Sequence, residues 1–298
     1  MIITDITKIG DPQILLYEGT YYCYATSRAK GFNVWQSDDL RHWSAPQQCF
    51  NTEENCWGDR KFWAPEVVYH SGKFVMHYTA EMDAKKTLYL GVATSDSPLG
   101  PFTDVWGRPF FDLGYAAIDG SVLIAQEGNF FYYSRDCSQN IIDGVKVSQL
   151  YCVRLDDTLT RTVGEHRLVT TPEYEWEKKS LGMNHLWNEG PTVIKVGDTY
   201  VMNYSANCYA TNDYAICIAT AQHPMGPWKK AAEANPVLSC RADLFGAGHN
   251  AFFSTKDGTL MTSFHVQTNP EKPSGDRRVC MGEVRFTEEN GVLRQEIF

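Results

Sequence analysis

Three carboxylic acids stand out because each opens a strongly apolar run. Asp11 precedes Gln13-Ile14-Leu15-Leu16, Asp119 precedes Val122-Leu123-Ile124, and Glu189 precedes Val193-Ile194. An imidazole, His249, opens a fourth run, Ala251-Phe252-Phe253, and Ala64 opens a fifth. A single acid at such a place is usually a turn or cap residue. Acids brought together behave differently. Burial and mutual repulsion raise the pKa of at least one, which then serves as a general acid near pH 7, while an ionised partner serves as base. Cleavage of a glycosidic bond requires that pairing.

A chain that repeats itself can bring five distant positions to equivalent places. Each run turns at a glycine, at Glu18-Gly19, Ser71-Gly72, Glu127-Gly128, Gly197-Asp198 and Asp257-Gly258, and returns through sequence such as Tyr21-Tyr22-Cys23-Tyr24 or Phe130-Phe131-Tyr132-Tyr133. These are hairpin signatures. Third strands are expected at 33–37, 88–93 and 214–219, and two connecting stretches echo each other, Ser97-Pro98-Leu99-Gly100-Pro101-Phe102 and His223-Pro224-Met225-Gly226-Pro227-Trp228. The unit starts lie about 53 to 70 residues apart, near the long end for propeller blades. The pattern predicts an all-β chain, a five-bladed β-propeller, over a β-sandwich with chance hairpins, because the echo recurs five times in order. No linker or composition break divides it, so residues 1–298 read as a single catalytic domain. In a propeller the innermost strand of each blade lines the central channel. Asp11, Ala64, Asp119, Glu189 and His249 are therefore expected at equivalent places on one rim.

Composition narrows the class. The 298 residues are 43% hydrophobic, enough for a large core, and carry a net charge of -9 with no basic stripe, which disfavours nucleic-acid binding. No apolar run is long enough to span a membrane, and the N-terminus shows no export signal, so the cytoplasm is the expected location. Nine scattered cysteines without a Cys-x-x-Cys pair read as buried thiols, not zinc ligands or a disulfide frame. No nucleotide-binding loop occurs, so no organic cofactor is expected.

The chain resembles glycoside hydrolase family 43, which contains β-xylosidases, α-L-arabinofuranosidases and arabinanases. The resemblance rests on Gly10-Asp11-Pro12, Ser37-Asp38-Asp39-Leu40-Arg41-His42-Trp43, Phe62-Trp63-Ala64-Pro65-Glu66-Val67, Ile118-Asp119-Gly120-Ser121, Asn188-Glu189-Gly190-Pro191 and Gly246-Ala247-Gly248-His249-Asn250, in that order. It implies that Asp11 is the general base that activates water. Glu189 becomes the general acid, and Asp119 orients that acid and raises its pKa. The family inverts the anomeric centre, which implies a gap of roughly 6.5–9.5 Å between base and acid.

The resemblance also places His249 beneath the site as a ligand of a divalent cation, calcium first, although calcium prefers oxygen. It places Trp63 as a wall of the sugar pocket, with Phe32 a second candidate wall from the first hairpin. An arginine of the last strand is expected to bind sugar. Arg277 and Arg278 face opposite ways there, and Arg278 is the one favoured. The expected substrate is an oligosaccharide, cut by an exo-acting β-D-xylosidase or α-L-arabinofuranosidase. The alternatives are an endo-arabinanase, a carbohydrate-binding propeller without activity, or a protein-interaction propeller. The sequence leaves the oligomeric state open.

Overall fold

A computed structural model describes residues 1–241 and 243–298. The first strand array runs β1 (Ile2–Tyr17), β2 (Thr20–Thr26), β3 (Asn33–Ser37) and β4 (Gln47–Gln48), and the second β5 (Arg60–His70), β6 (Lys73–Met82), β7 (Thr87–Ser95) and β8 (Thr103–Asp104). The third opens with β9 (Ala117–Ala125) and β10 (Gly128–Arg135). It detours through β11 (Ile141–Ile142) and β12 (Val145–Val147), then closes with β13 (Gln149–Leu155) and β14 (Thr162–Thr170). A short β15 (His185–Leu186) pairs in parallel with β12. The fourth array is β16 (Asn188–Val196), β17 (Thr199–Ala206) and β18 (Ala215–Ala221). The last holds β19 (Gly248–Ser254), β20 (Leu260–Gln267), β21 (Arg277–Glu289) and β22 (Val292–Ile297). The start of β1 pairs with β21, so both ends of the chain share one sheet.

The fold is all-β; among the described residues the helices are four short 3-10 turns, and none could cross a membrane. Each array presents a hydrophobic face to the next. Tyr24 and Phe32 pack with Phe62, Phe74 and Tyr78, while Val75 and Leu90 pack with Phe131 and Tyr133. Phe130 and Tyr132 pack with Val193 and Tyr204, and Ile216 packs with Phe264 and Val266. Tyr21 and Cys23 pack with Phe253 and Met261, which returns the order to the first array. All nine cysteines are free thiols, seven of them buried.

The five opening strands, β1, β5, β9, β16 and β19, share one irregularity. In each, two residues oppose a single residue of the partner strand, a β-bulge. The first bulge residue has positive φ in every case: Asp11 54°, Ala64 45°, Asp119 59°, Gly190 56° and His249 49°. Non-glycine residues rarely adopt such angles, and they gather where function requires them.

This register corrects one expectation. Glu189 is not equivalent to Asp11 and Asp119; Gly190 is. Glu189 stands one residue earlier, matching Gly10, Trp63, Ile118 and Gly248.

Candidate active site

The bulges bring Asp11, Asp119 and His249 together. There they line a cavity of about 20 Å³ with Gln13, Glu66, Asn250 and neighbours. That is room for one water. Glu189, offset by one residue, does not line this cavity.

Asp11 is surrounded by donors. Thr26 Oγ1 donates to its Oδ2 at 2.6 Å, and Arg277 Nη1 lies 3.2 Å from Oδ1. His249 Nδ1 is 3.3 Å from the same oxygen. Burial opposes the charge, yet His249, Arg277 and the Thr26 hydroxyl together hold this carboxyl well below the usual carboxylate range. His265 supports it from behind. Its Nδ1 accepts the Asp11 backbone N–H at 3.2 Å, and burial beside Arg277 keeps the ring neutral.

Glu189 has the opposite surroundings. It is 7% exposed and accepts one hydrogen bond, from Tyr214 Oη at 2.9 Å. Burial, with repulsion from Asp136 and Asp11, pushes its carboxyl up to about 8. Asp119 is equally buried. Its Oδ2 accepts the Gly190 backbone N–H at 3.2 Å, and burial with repulsion from Glu189 and Asp11 also raises it to about 8. The three acids therefore have opposed surroundings, which favour the ionised form of Asp11 and the protonated forms of Glu189 and Asp119 near neutrality.

Two expectations change. Phe32 is fully buried and packs edge-on against Phe50, Phe62 and Tyr78, so it is core and not a pocket wall. Arg277, not Arg278, reaches Asp11. The antiparallel register of β21 sets Arg277 opposite Ile9 and Gln267, beside the bulge, and its guanidinium lies 4.8 Å over the Tyr209 ring. Gly10 makes the approach possible, since a Cβ there would stand 2.1 Å from Arg277 Nη2. Trp63 is half-buried against Leu88 and Ile118.

Thr26, Tyr214 and His265 were not anticipated. Thr26 and His265 sit on second strands and Tyr214 just before a third, and only the tertiary fold marks them. Glu66 also lines the cavity; it accepts the Val122 N–H at 2.8 Å, and burial raises its carboxyl to about 7.

The expected calcium finds little to hold it. Calcium takes about six to eight oxygen ligands. Among the described residues no three His, Cys, Asp or Glu side chains converge in metal-binding geometry, and His249 Nδ1 already faces Asp11. The side chains present do not by themselves fit a calcium ion, and no catalytic step is assigned to one.

The description "Glycosyl hydrolases family 43" matches residues 6–292. A thermostable family-43 glycoside hydrolase of known crystal structure superposes with a TM-score of 0.91 at 41% identity, over 98% of this chain and 94% of that one. An endo-1,4-β-xylanase from Bacteroides thetaiotaomicron VPI-5482 superposes with a TM-score of 0.83 at 30% identity, over 98% and 95%. The β-D-galactofuranosidase xynD of Aspergillus niger is 24% identical over 307 residues, 95% of this chain and 81% of its own length.

Proposed function

The chain belongs to glycosyl hydrolases family 43, and on that premise we propose that it is an inverting exo-glycosidase releasing terminal pentose from oligosaccharides, β-D-xylose first and α-L-arabinofuranose second. One arrangement carries this reading: Asp11 stands among His249, Arg277 and Thr26, which favour its ionised form, while Glu189 is buried with the Tyr214 hydroxyl as its hydrogen-bond partner, which favours its protonated form. In the proposed step water attacks the anomeric carbon and yields a proton to Asp11. The glycosidic C–O bond breaks, and the leaving oxygen takes the proton of Glu189. Asp119 positions the acid through Gly190. Trp63 offers an aromatic face to the sugar.

A relative from Bacteroides ovatus named xylosidase/arabinosidase supports the two pentose chemistries. The endo-xylanase name also favours a second reading, internal cleavage of xylan. The cyclic order of the five hairpins and their matching bulges supports five propeller blades in one domain.

Initial rates on nitrophenyl β-D-xylopyranoside and α-L-arabinofuranoside test the proposal. Release of xylose from the chain end, with the inverted anomer first in the NMR spectrum, is expected. Internal cuts in xylan without monomer release would replace the exo reading by the endo one. Failure on all of these substrates would overturn both.

A further inference from the structure

The five bulges are linked by a repeated hydrogen bond. In four of the five, the N–H of the first bulge residue donates to a side chain on the second strand of the preceding hairpin. Ala64 N–H donates to Thr26 Oγ1 at 2.8 Å, Asp119 N–H to Thr79 Oγ1 at 3.1 Å, His249 N–H to Ser205 Oγ at 2.7 Å, and Asp11 N–H to His265 Nδ1 at 3.2 Å. Each acceptor is the residue paired with the one just before its own hairpin's bulge: Thr26 with Gly10, Thr79 with Trp63, Ser205 with Glu189, His265 with Gly248. By the same register the fifth acceptor is Ser134, paired with Ile118.

The fifth link is made differently. Gly190 N–H donates to Asp119 Oδ2 at 3.2 Å. Ser134 Oγ is fully buried and has no partner among the described residues. A buried hydroxyl left unpaired is costly, and one beside a catalytic carboxyl calls for a reason. The first hairpin supplies it. Thr26 Oγ1 accepts the Ala64 N–H and at the same time donates to Asp11 Oδ2. By register Ser134 occupies the equivalent position in the third hairpin, beside Asp119, although its hydroxyl makes neither bond here.

We infer that Ser134 is a positioning residue for Asp119. When Asp119 turns from Gly190 toward the bound sugar, Ser134 accepts the Gly190 N–H and donates its hydroxyl to the carbonyl oxygen of the Asp119 carboxyl, as Thr26 already accepts from Ala64 and donates to Asp11. Asp119 thus has two seats, and Ser134 keeps the backbone beside Glu189 satisfied in the second. Without that hydroxyl the turn would orphan a buried N–H next to the acid. The inference rests on the glycosidase reading of Asp119 and Glu189.

Ser134→Ala and Ser134→Thr test it by kinetics, and Ser134→Ala with Asp119→Ala by thermal melting. Ser134→Ala should lower kcat about tenfold, as expected for losing the hydrogen bond that seats the Asp119 carboxyl, with KM within about twofold. Ser134→Thr should restore most of the rate. In melting, each single alanine variant leaves Gly190 one acceptor and should cost little. The double variant should melt roughly 2–6 °C below the additive expectation. Wild-type kcat in Ser134→Ala, no rescue by threonine, or additive melting overturns the inference. A wild-type protein that hydrolyses no glycoside sinks the functional reading instead, and the melting cycle still decides the role of Ser134.

Discussion

Arg277 Nη1 lies 3.2 Å from Asp11 Oδ1, brought there by a strand register and admitted by the missing side chain of Gly10. Both groups are nearly buried, so the guanidinium stabilises the Asp11 charge with little screening. Arg277→Ala should lower kcat/KM about 100-fold. Gly10→Ala, which displaces the guanidinium, should follow it in direction. Arg278→Ala should stay within about twofold. Steady-state kinetics of the three variants check the assignment, and a large loss in Arg278→Ala alone would reverse it.

The pH profile follows from the two opposed carboxyls. Glu189 must be protonated to act as acid, so kcat/KM should fall as pH rises through about 8. Asp11 must be ionised to act as base, and its carboxyl is held below the usual range, so activity should persist to unusually low pH. Glu189→Gln should cost roughly 10²–10⁴ in kcat on natural linkages, and less on a nitrophenyl leaving group that needs no proton. An alkaline limb unmoved by that substitution would exclude Glu189 as the group that titrates.

Stability should depend on pH through the same residue. The Glu189 carboxyl is raised from 4.5 to about 8 by folding. Its favourable contribution is complete below about pH 4.5 and is lost as pH rises through about 8. Glu189→Gln should therefore melt above the wild type at pH 9, by a margin that shrinks toward pH 5. Equal margins at both pH values would contradict the burial argument.

Glu177 and Lys230 form a buried ion pair at 2.7 Å, with side chains 0% and 5% exposed. Lys230 Nζ also donates to Asn188 Oδ1 at 2.9 Å, one residue before Glu189. Lys230→Met leaves Glu177 buried and unpaired and should cost about 3–5 kcal/mol in urea unfolding. Glu177→Gln combined with Lys230→Met should recover part of it.

Chelation should leave turnover unchanged, because the side chains around His249 do not form a calcium cage. Rates before and after EDTA, and after added calcium, decide this. A loss restored by calcium would support an ion held there mainly by water.

The sequence was enough to identify the hairpins and the acids that open them. Alternating apolar residues and turn glycines are local signals, and β3 lies at the expected 33–37. Asp11, Asp119 and His249 stood out because each directly precedes an apolar run of residues, although all three lie within strands. The bulges were not legible, since an extra residue in one strand is defined only against its partner. That is why Glu189 was placed level with Asp11, although it stands one residue away. Arg277 and Arg278 are adjacent and chemically alike; the pairing of β21 with β1 and β20 chose between them. Phe32 follows a glycine and could have faced either way, and packing against Phe50, Phe62 and Tyr78 turned it into the core. Residue types and local period thus determined which groups were available for chemistry. Strand register, a relation between distant segments, decided which of them meet and which carboxyl keeps its proton.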